Sequence, residues 1–114
     1  MTQSTLEELS YEREVLTQEL NQSYLNAISD ENSRKLLDSI IDNPKSVSEI
    51  SIETKIPLRT VYRKIQVLSD ARLVKISGSI IQSGRKYFLY KSKIRSIMVT
   101  YHKNLFSVKI TKNY

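Results

Sequence analysis

IPLRTVYRKIQVL, residues 56–68, sets a proline ahead of an unbroken run and then two arginines four positions apart, Arg59 and Arg63. On a wheel of about 100° per residue, Leu58, Val61, Ile65 and Leu68 fall in one narrow arc and form an apolar face. Arg59, Arg63 and Gln66 fall opposite it, Tyr62 lies at their edge, and Thr60 and Lys64 take the other flank. The stretch is expected as an amphipathic helix over about 57–69. The fixed φ of Pro57 suits the first helical turn, although proline supplies no capping side chain.

Working back toward the N-terminus, Ser46-Val47-Ser48 opens a short helix running to about Lys55, with Ile50 and Ile56 facing inward. A tight turn joins it to the basic helix. Earlier still, Ser29-Asp30 offers an N-cap, and Leu36, Leu37, Ile40 and Ile41 follow at helical spacing until Asn43-Pro44 ends the run. From Ser4, whose spacing to Glu7 fits a capping box, no breaker interrupts the chain. There Leu9, Leu16 and Leu20, with Val15 beside them, make a thin stripe broken by Arg13. Such a stripe suits a helix–helix seam, and folding back on its own domain is the alternative.

Beyond Ser69 the periodicity changes. Leu73–Ile81 and Lys86–Lys91 are rich in β-branched and aromatic residues, with Ser83-Gly84 as the hairpin turn between them and Gly78 as a bulge. In IRSIMVTY and LFSVKI, alternation of Ile97, Val99 and Tyr101, then Phe106, Val108 and Ile110, favours a second hairpin turning at His102-Lys103-Asn104. Ile94, Ile97, Met98 and Tyr101 also fit a helix, so that alternative stays open. The expected organisation is an N-terminal helix over 1–28, a domain over 29–91 and an extension over 92–114.

The chain of 114 residues suits one domain, and it has no cysteine, one histidine, and a net charge of +6. Disulfides and thiolate metal sites are excluded, and His102 has neither a carboxylate partner nor a nucleophile nearby in sequence. No apolar run is long enough to span a bilayer and the first residues are acidic, so a cytoplasmic protein without a membrane partner is expected. The charge is divided. Residues 1–44 hold three basic against nine acidic residues, and residues 45–114 hold fifteen against three, with no carboxylate side chain after Asp70. A basic half of this kind answers a polyanion.

The order of three helices and a hairpin, with a tight turn between the second and third helices, is that of a winged helix-turn-helix. SVSEISIETKIPLRTVYRKIQVLSDARLVKISG resembles the core of winged helix-turn-helix transcription regulators of the arsenic-repressor-like group, especially compact archaeal ones, over about residues 31–91. The departures are Lys55, where members usually carry glycine, and Pro57, where they often carry a serine cap. The cysteine and histidine ligands of the metal-sensing branch are missing as well. The resemblance implies an α+β fold, mainly α, with an N-terminal helix and a C-terminal hairpin extension.

Arginine pairs bidentately with guanine and glutamine with adenine in a major groove that admits one helix. Arg59, Thr60, Tyr62, Arg63, Lys64 and Gln66 are therefore the expected DNA-contacting residues of a recognition helix. Arg85 and Lys86 would serve at the tip of a wing over about 73–91, on flanking backbone or in the minor groove. The function so read is a sequence-specific double-stranded DNA-binding transcription regulator, homodimeric through its N-terminal helix, with no cofactor, metal or catalytic residue. The alternative is a winged-helix adaptor in a nucleoprotein complex, and an RNA-binding role ranks third. Tyr87, Phe88 and Tyr90 could stack on bases, but strand alternation reads them as packing residues.

Overall fold

The computed structural model describes residues 20–114. Its elements run α1 (residues 20–28), α2 (Glu31–Ser39), α3 (Val47–Thr54), α4 (Leu58–Asp70), β1 (Val74–Gln82), β2 (Arg85–Ser92), β3 (Ile94–His102) and β4 (Leu105–Lys112). The Ser4–Glu7 cap and the leucines at 6, 9 and 16 lie outside the described residues. Among those described, helical residues outnumber strand residues by a small margin.

Local chemistry explains each helix boundary. Asp30 caps α2 by accepting from the Ser33 amide at 3.0 Å and the Ser33 hydroxyl at 3.1 Å. Ser46 and Glu49 close a capping box at the start of α3, a serine-x-x-glutamate signal visible in the sequence but not used above. α3 ends at Lys55, whose φ of 62° is left-handed. That conformation costs a non-glycine residue about 1 kcal/mol. Neighbouring hydroxyls hold it: Ser51 donates to the Ile56 carbonyl at 2.6 Å, and Thr54 accepts from the Ile56 amide at 3.3 Å. Pro57 occupies the N-cap of α4 without a side-chain cap bond, so the helix begins one residue later than expected.

The core gathers Leu36, Leu37, Ile40, Val47, Ile50, Ile56, Val61, Ile65, Leu68, Leu73 and Val74 between α2, α3, α4 and the root of β1. Leu58 is a correction: it is 45% exposed and does not join the buried face. It sits in the first turn of α4, ahead of the level at which Val61 and Ile65 meet the other helices.

β1 and β2 pair antiparallel with a register shift between Ile76 and Gly78, the expected bulge. Ser83 and Gly84 turn the hairpin with φ of 51° and 77°, the double-positive pattern of a tight primed turn. A single bridge adds an outer strand residue, because Lys45 exchanges backbone hydrogen bonds with Tyr90 at 3.0 and 2.8 Å. β3 and β4 form a separate two-stranded sheet, turned by Lys103 and Asn104 with φ of 48° and 62°. The tail is therefore a hairpin, and His102 is the exposed last residue of β3.

Asn113 ties the root of the second hairpin to the core. Its buried side-chain amide donates to the Ile41 carbonyl at 2.7 Å and the Ser92 carbonyl at 3.0 Å, and its oxygen accepts from Arg95 at 2.9 Å. Arg95 also pairs with Asp42 at 3.2 Å.

Candidate nucleic-acid interface

α4 is held by Val61, Ile65 and Leu68, all buried, and this fixes which side chains face outward. Arg59, Tyr62, Arg63 and Gln66 are exposed, as the wheel requires. The first turn carries neither an acidic residue nor a side-chain cap. Its free amides and the positive end of the helix dipole thus open outward beside Arg59, an arrangement that favours anions.

Two of the expected contact residues are diverted. Lys64 reaches back to Asp30, the cap of α2, at 3.0 Å and is largely covered. The Lys64 hydrogen bond is the main reason the Asp30 carboxyl lies below its ordinary value, with the Ser33 amide helping. Lys64 therefore serves as an interhelical tie, and Thr60 beside it is half-buried. Gln66 is exposed, but its amide donates to Asp70 one turn on at 3.0 Å. Base contact by Gln66 would have to break that surface bond, which is weak.

The four ion pairs among the described residues involve none of Arg59, Arg63, Arg85 or Lys86. Meanwhile the three carboxylates after Pro44 are all engaged within the protein. Glu49 closes the α3 cap, Glu53 binds Lys45, and Asp70 accepts from Gln66. The Lys45 hydrogen bond holds the Glu53 carboxyl below its usual range. Among the described residues, Arg59 and Arg63 on α4 and Arg85 and Lys86 at the wing tip are thus left without a carboxylate partner.

Burial pushes the Tyr90 hydroxyl above its ordinary value, and the Tyr62 hydroxyl adds to the effect. At the wing tip Arg85 and Lys86 are exposed, and the Lys86 ammonium lies 5.4 Å from the Phe88 ring centroid. Tyr87 and Tyr90 are half-buried while Phe88 is 43% exposed, so the expectation that all three pack holds only in part. The register places Ile76, Phe88 and Ile81 on one wing face, and all three are exposed.

The sequence reading missed Lys55 and Arg72. Both are exposed, and both take left-handed backbone at the two ends of α4, with φ of 62° and 63°. Their signal was positional: a basic residue in each turn flanking a basic helix. Among the described residues no three His, Cys, Asp or Glu side chains converge on a point, and no helix is long and apolar enough to cross a membrane.

Neither a protein-family profile nor a curated protein sequence matches the chain. One solved structure that does match is the solution NMR structure of the homodimeric winged helix-turn-helix DNA-binding domain, fragment 1–100, of Mb0332 from Mycobacterium bovis, described as a possible ArsR-family transcriptional regulator. It is 20% identical with a TM-score of 0.57, over 70% of this chain and 69% of that one. At that identity the likeness speaks for the fold: this chain has an α+β fold similar to a winged helix domain.

Proposed function

We propose that the chain is a sequence-specific double-stranded DNA-binding transcription regulator, a soluble cytoplasmic protein acting as a homodimer. In this reading α4 enters the major groove, and the β1–β2 wing rests on flanking backbone or in the minor groove. The observation that carries it is the outward face of α4, where Arg59 and Arg63 are exposed and, among the described residues, stand without carboxylate partners. The neighbour from Mycobacterium bovis, itself a homodimeric DNA-binding domain, supports both the DNA and the dimer. Lys64 leaves the contact set, and Lys55 and Arg72 enter it as phosphate contacts. Pairing through the N-terminal helix would set two α4 helices about 34 Å apart on a roughly palindromic site. The role is one of binding, with no catalytic step.

Salt dependence tests this directly. If Lys55, Arg72, Arg85 and Lys86 each neutralise a phosphate while Arg59 and Arg63 face the bases, log affinity for a duplex falls with log salt at a slope of roughly −3 to −4 per protomer. Fluorescence anisotropy on a labelled duplex measures the slope, and absence of duplex binding at low salt would refute the proposal. A second reading, an adaptor inside a nucleoprotein complex, draws on the exposed Ile76, Ile81 and Phe88. It would gain from that refutation.

A further inference from the structure

Asp30 stands where α1, α2 and α4 meet. Its Oδ2 accepts from the Ser33 amide at 3.0 Å, the Ser33 hydroxyl at 3.1 Å and the Lys64 ammonium of α4 at 3.0 Å. The same corner closes α1. Ser29 donates from its hydroxyl to the Asn26 carbonyl at 2.8 Å and from its amide to the Leu25 carbonyl at 3.0 Å. The Arg34 guanidinium donates to the Ile28 carbonyl at 2.8 Å. Carbonyls at the end of α1 are thus satisfied by residues at the start of α2. The two helices meet as one hydrogen-bonded corner, and Lys64 fastens α4 to it.

Among the described residues, the Lys64–Asp30 pair is the one hydrogen bond or ion pair that joins α4 to α1 or α2. What otherwise holds α4 is the apolar core, through Val61, Ile65 and Leu68. Apolar burial is non-directional, and packed helices can slide by small shears. A polar tie at one point sets the roll of the helix within that freedom.

The pair has a second effect. Of the basic residues on α4, Arg59, Arg63 and Lys64, only Lys64 is paired among the described residues. Its side chain is 21% exposed, while Arg59 and Arg63 are open to solvent. Lys64 follows Arg63 directly in the chain, so its flexible stem, once released, would bring an ammonium to the phosphates beside that arginine. An arginine reads a base edge through fixed geometry, whereas an ammonium on phosphate raises affinity for every sequence alike. Withdrawing Lys64 removes a sequence-blind contact from beside the reading residues.

We infer that Asp30 is a positioning residue for sequence discrimination: through Lys64 it fixes α4 against the α1–α2 corner and keeps that ammonium off the DNA backbone. This rests on the duplex-reading role of α4 in the proposed function and deepens it by naming what sets its selectivity.

Asp30→Ser tests it, because serine caps a helix about as well as aspartate but is too short to reach Lys64. Lys64→Met breaks the tie without freeing a cation. Each full-length chain, and the double variant, is titrated by anisotropy against a duplex selected from genomic DNA and a random duplex over a range of salt. Thermal unfolding checks the fold. For Asp30→Ser, one added phosphate contact steepens the salt slope on the random duplex by about one unit and raises that affinity roughly threefold. The ratio of selected to random affinity falls by at least the same factor. Lys64→Met keeps the parent's slope and lowers the ratio by roughly two- to fivefold, as the loss of a partly exposed tie does. The double variant matches Lys64→Met, since Asp30 acts through Lys64. A folded Asp30→Ser chain with the parent's slope and ratio overturns the inference, as does a folded Lys64→Met chain with the parent's ratio. Lys64→Met leaves the α2 cap intact and decides the matter alone if Asp30→Ser does not fold. A double variant less selective than Lys64→Met also overturns it, because Asp30 would then act through the cap. A parent chain that binds no duplex at low salt overturns the proposed function together with the inference, which separates the two failures.

Discussion

The two hairpins share a design and diverge in how they are attached. Each pairs strands of eight and nine residues and turns on two consecutive positive-φ residues, and each has an irregularity near its root. The wing, β1–β2, grows out of α4 through Ala71 and Leu73 and is stitched to Lys45. Its tip is Arg85 and Lys86. The second hairpin hangs from the end of α2 through Asn113. Both hairpins expose apolar side chains, Ile76, Ile81 and Phe88 on the first and Met98, Val99, Tyr101 and Leu105 on the second. Strand pairing sets the shape they share; they differ in the elements they flank, α4 for the first and α1 for the second.

The attachment is the first place to break this comparison. Asn113→Ala removes two donated bonds and one accepted bond from a buried site, leaving the Ile41 and Ser92 carbonyls unpaired. A loss of about 2 to 3 kcal/mol is expected in chemical denaturation. Amide exchange should accelerate in β3 and β4 more than in β1 and β2. Uniform acceleration across both hairpins would mean that the second is not separately anchored.

A smaller effect sharpens the contrast between the tips. Arg85→Ala should weaken duplex binding by roughly 0.5 to 1 kcal/mol at moderate salt and flatten the salt slope by about one unit, as a single lost phosphate contact does. Lys103→Ala, at the equivalent tip of the second hairpin, should leave duplex affinity unchanged. Equal losses from the two would make the second hairpin a DNA arm as well.

How far the sequence carried this account depends on the kind of signal. Helical periodicity located α4 and oriented Arg59, Tyr62 and Arg63 correctly, because Val61, Ile65 and Leu68 meet helices on a single side. The wheel could not show that nothing stands opposite Leu58, since an angle about an axis says nothing of where neighbouring elements end. Nor could it show that Lys64 lies within reach of Asp30, a contact across 34 positions of chain. Glycine chemistry gave the Ser83-Gly84 turn and the Gly78 bulge. Lys103-Asn104 was harder to read, since lysine rarely takes positive φ, and pairing across β3 and β4 imposes it. The one-residue bridge at Lys45 has no periodicity to find. Lys55 and Arg72 escaped because they lie in turns and not on the helix face.

The central claim is that the outward face of α4 contacts duplex DNA, and Arg63→Ala tests it most directly. Binding to fragments selected from genomic DNA is titrated for the parent chain and the variant, with the fold checked by thermal unfolding. The account predicts a loss of roughly 1 to 3 kcal/mol in specific affinity with the unfolding midpoint unchanged. Undiminished affinity in a folded Arg63→Ala protein would contradict it.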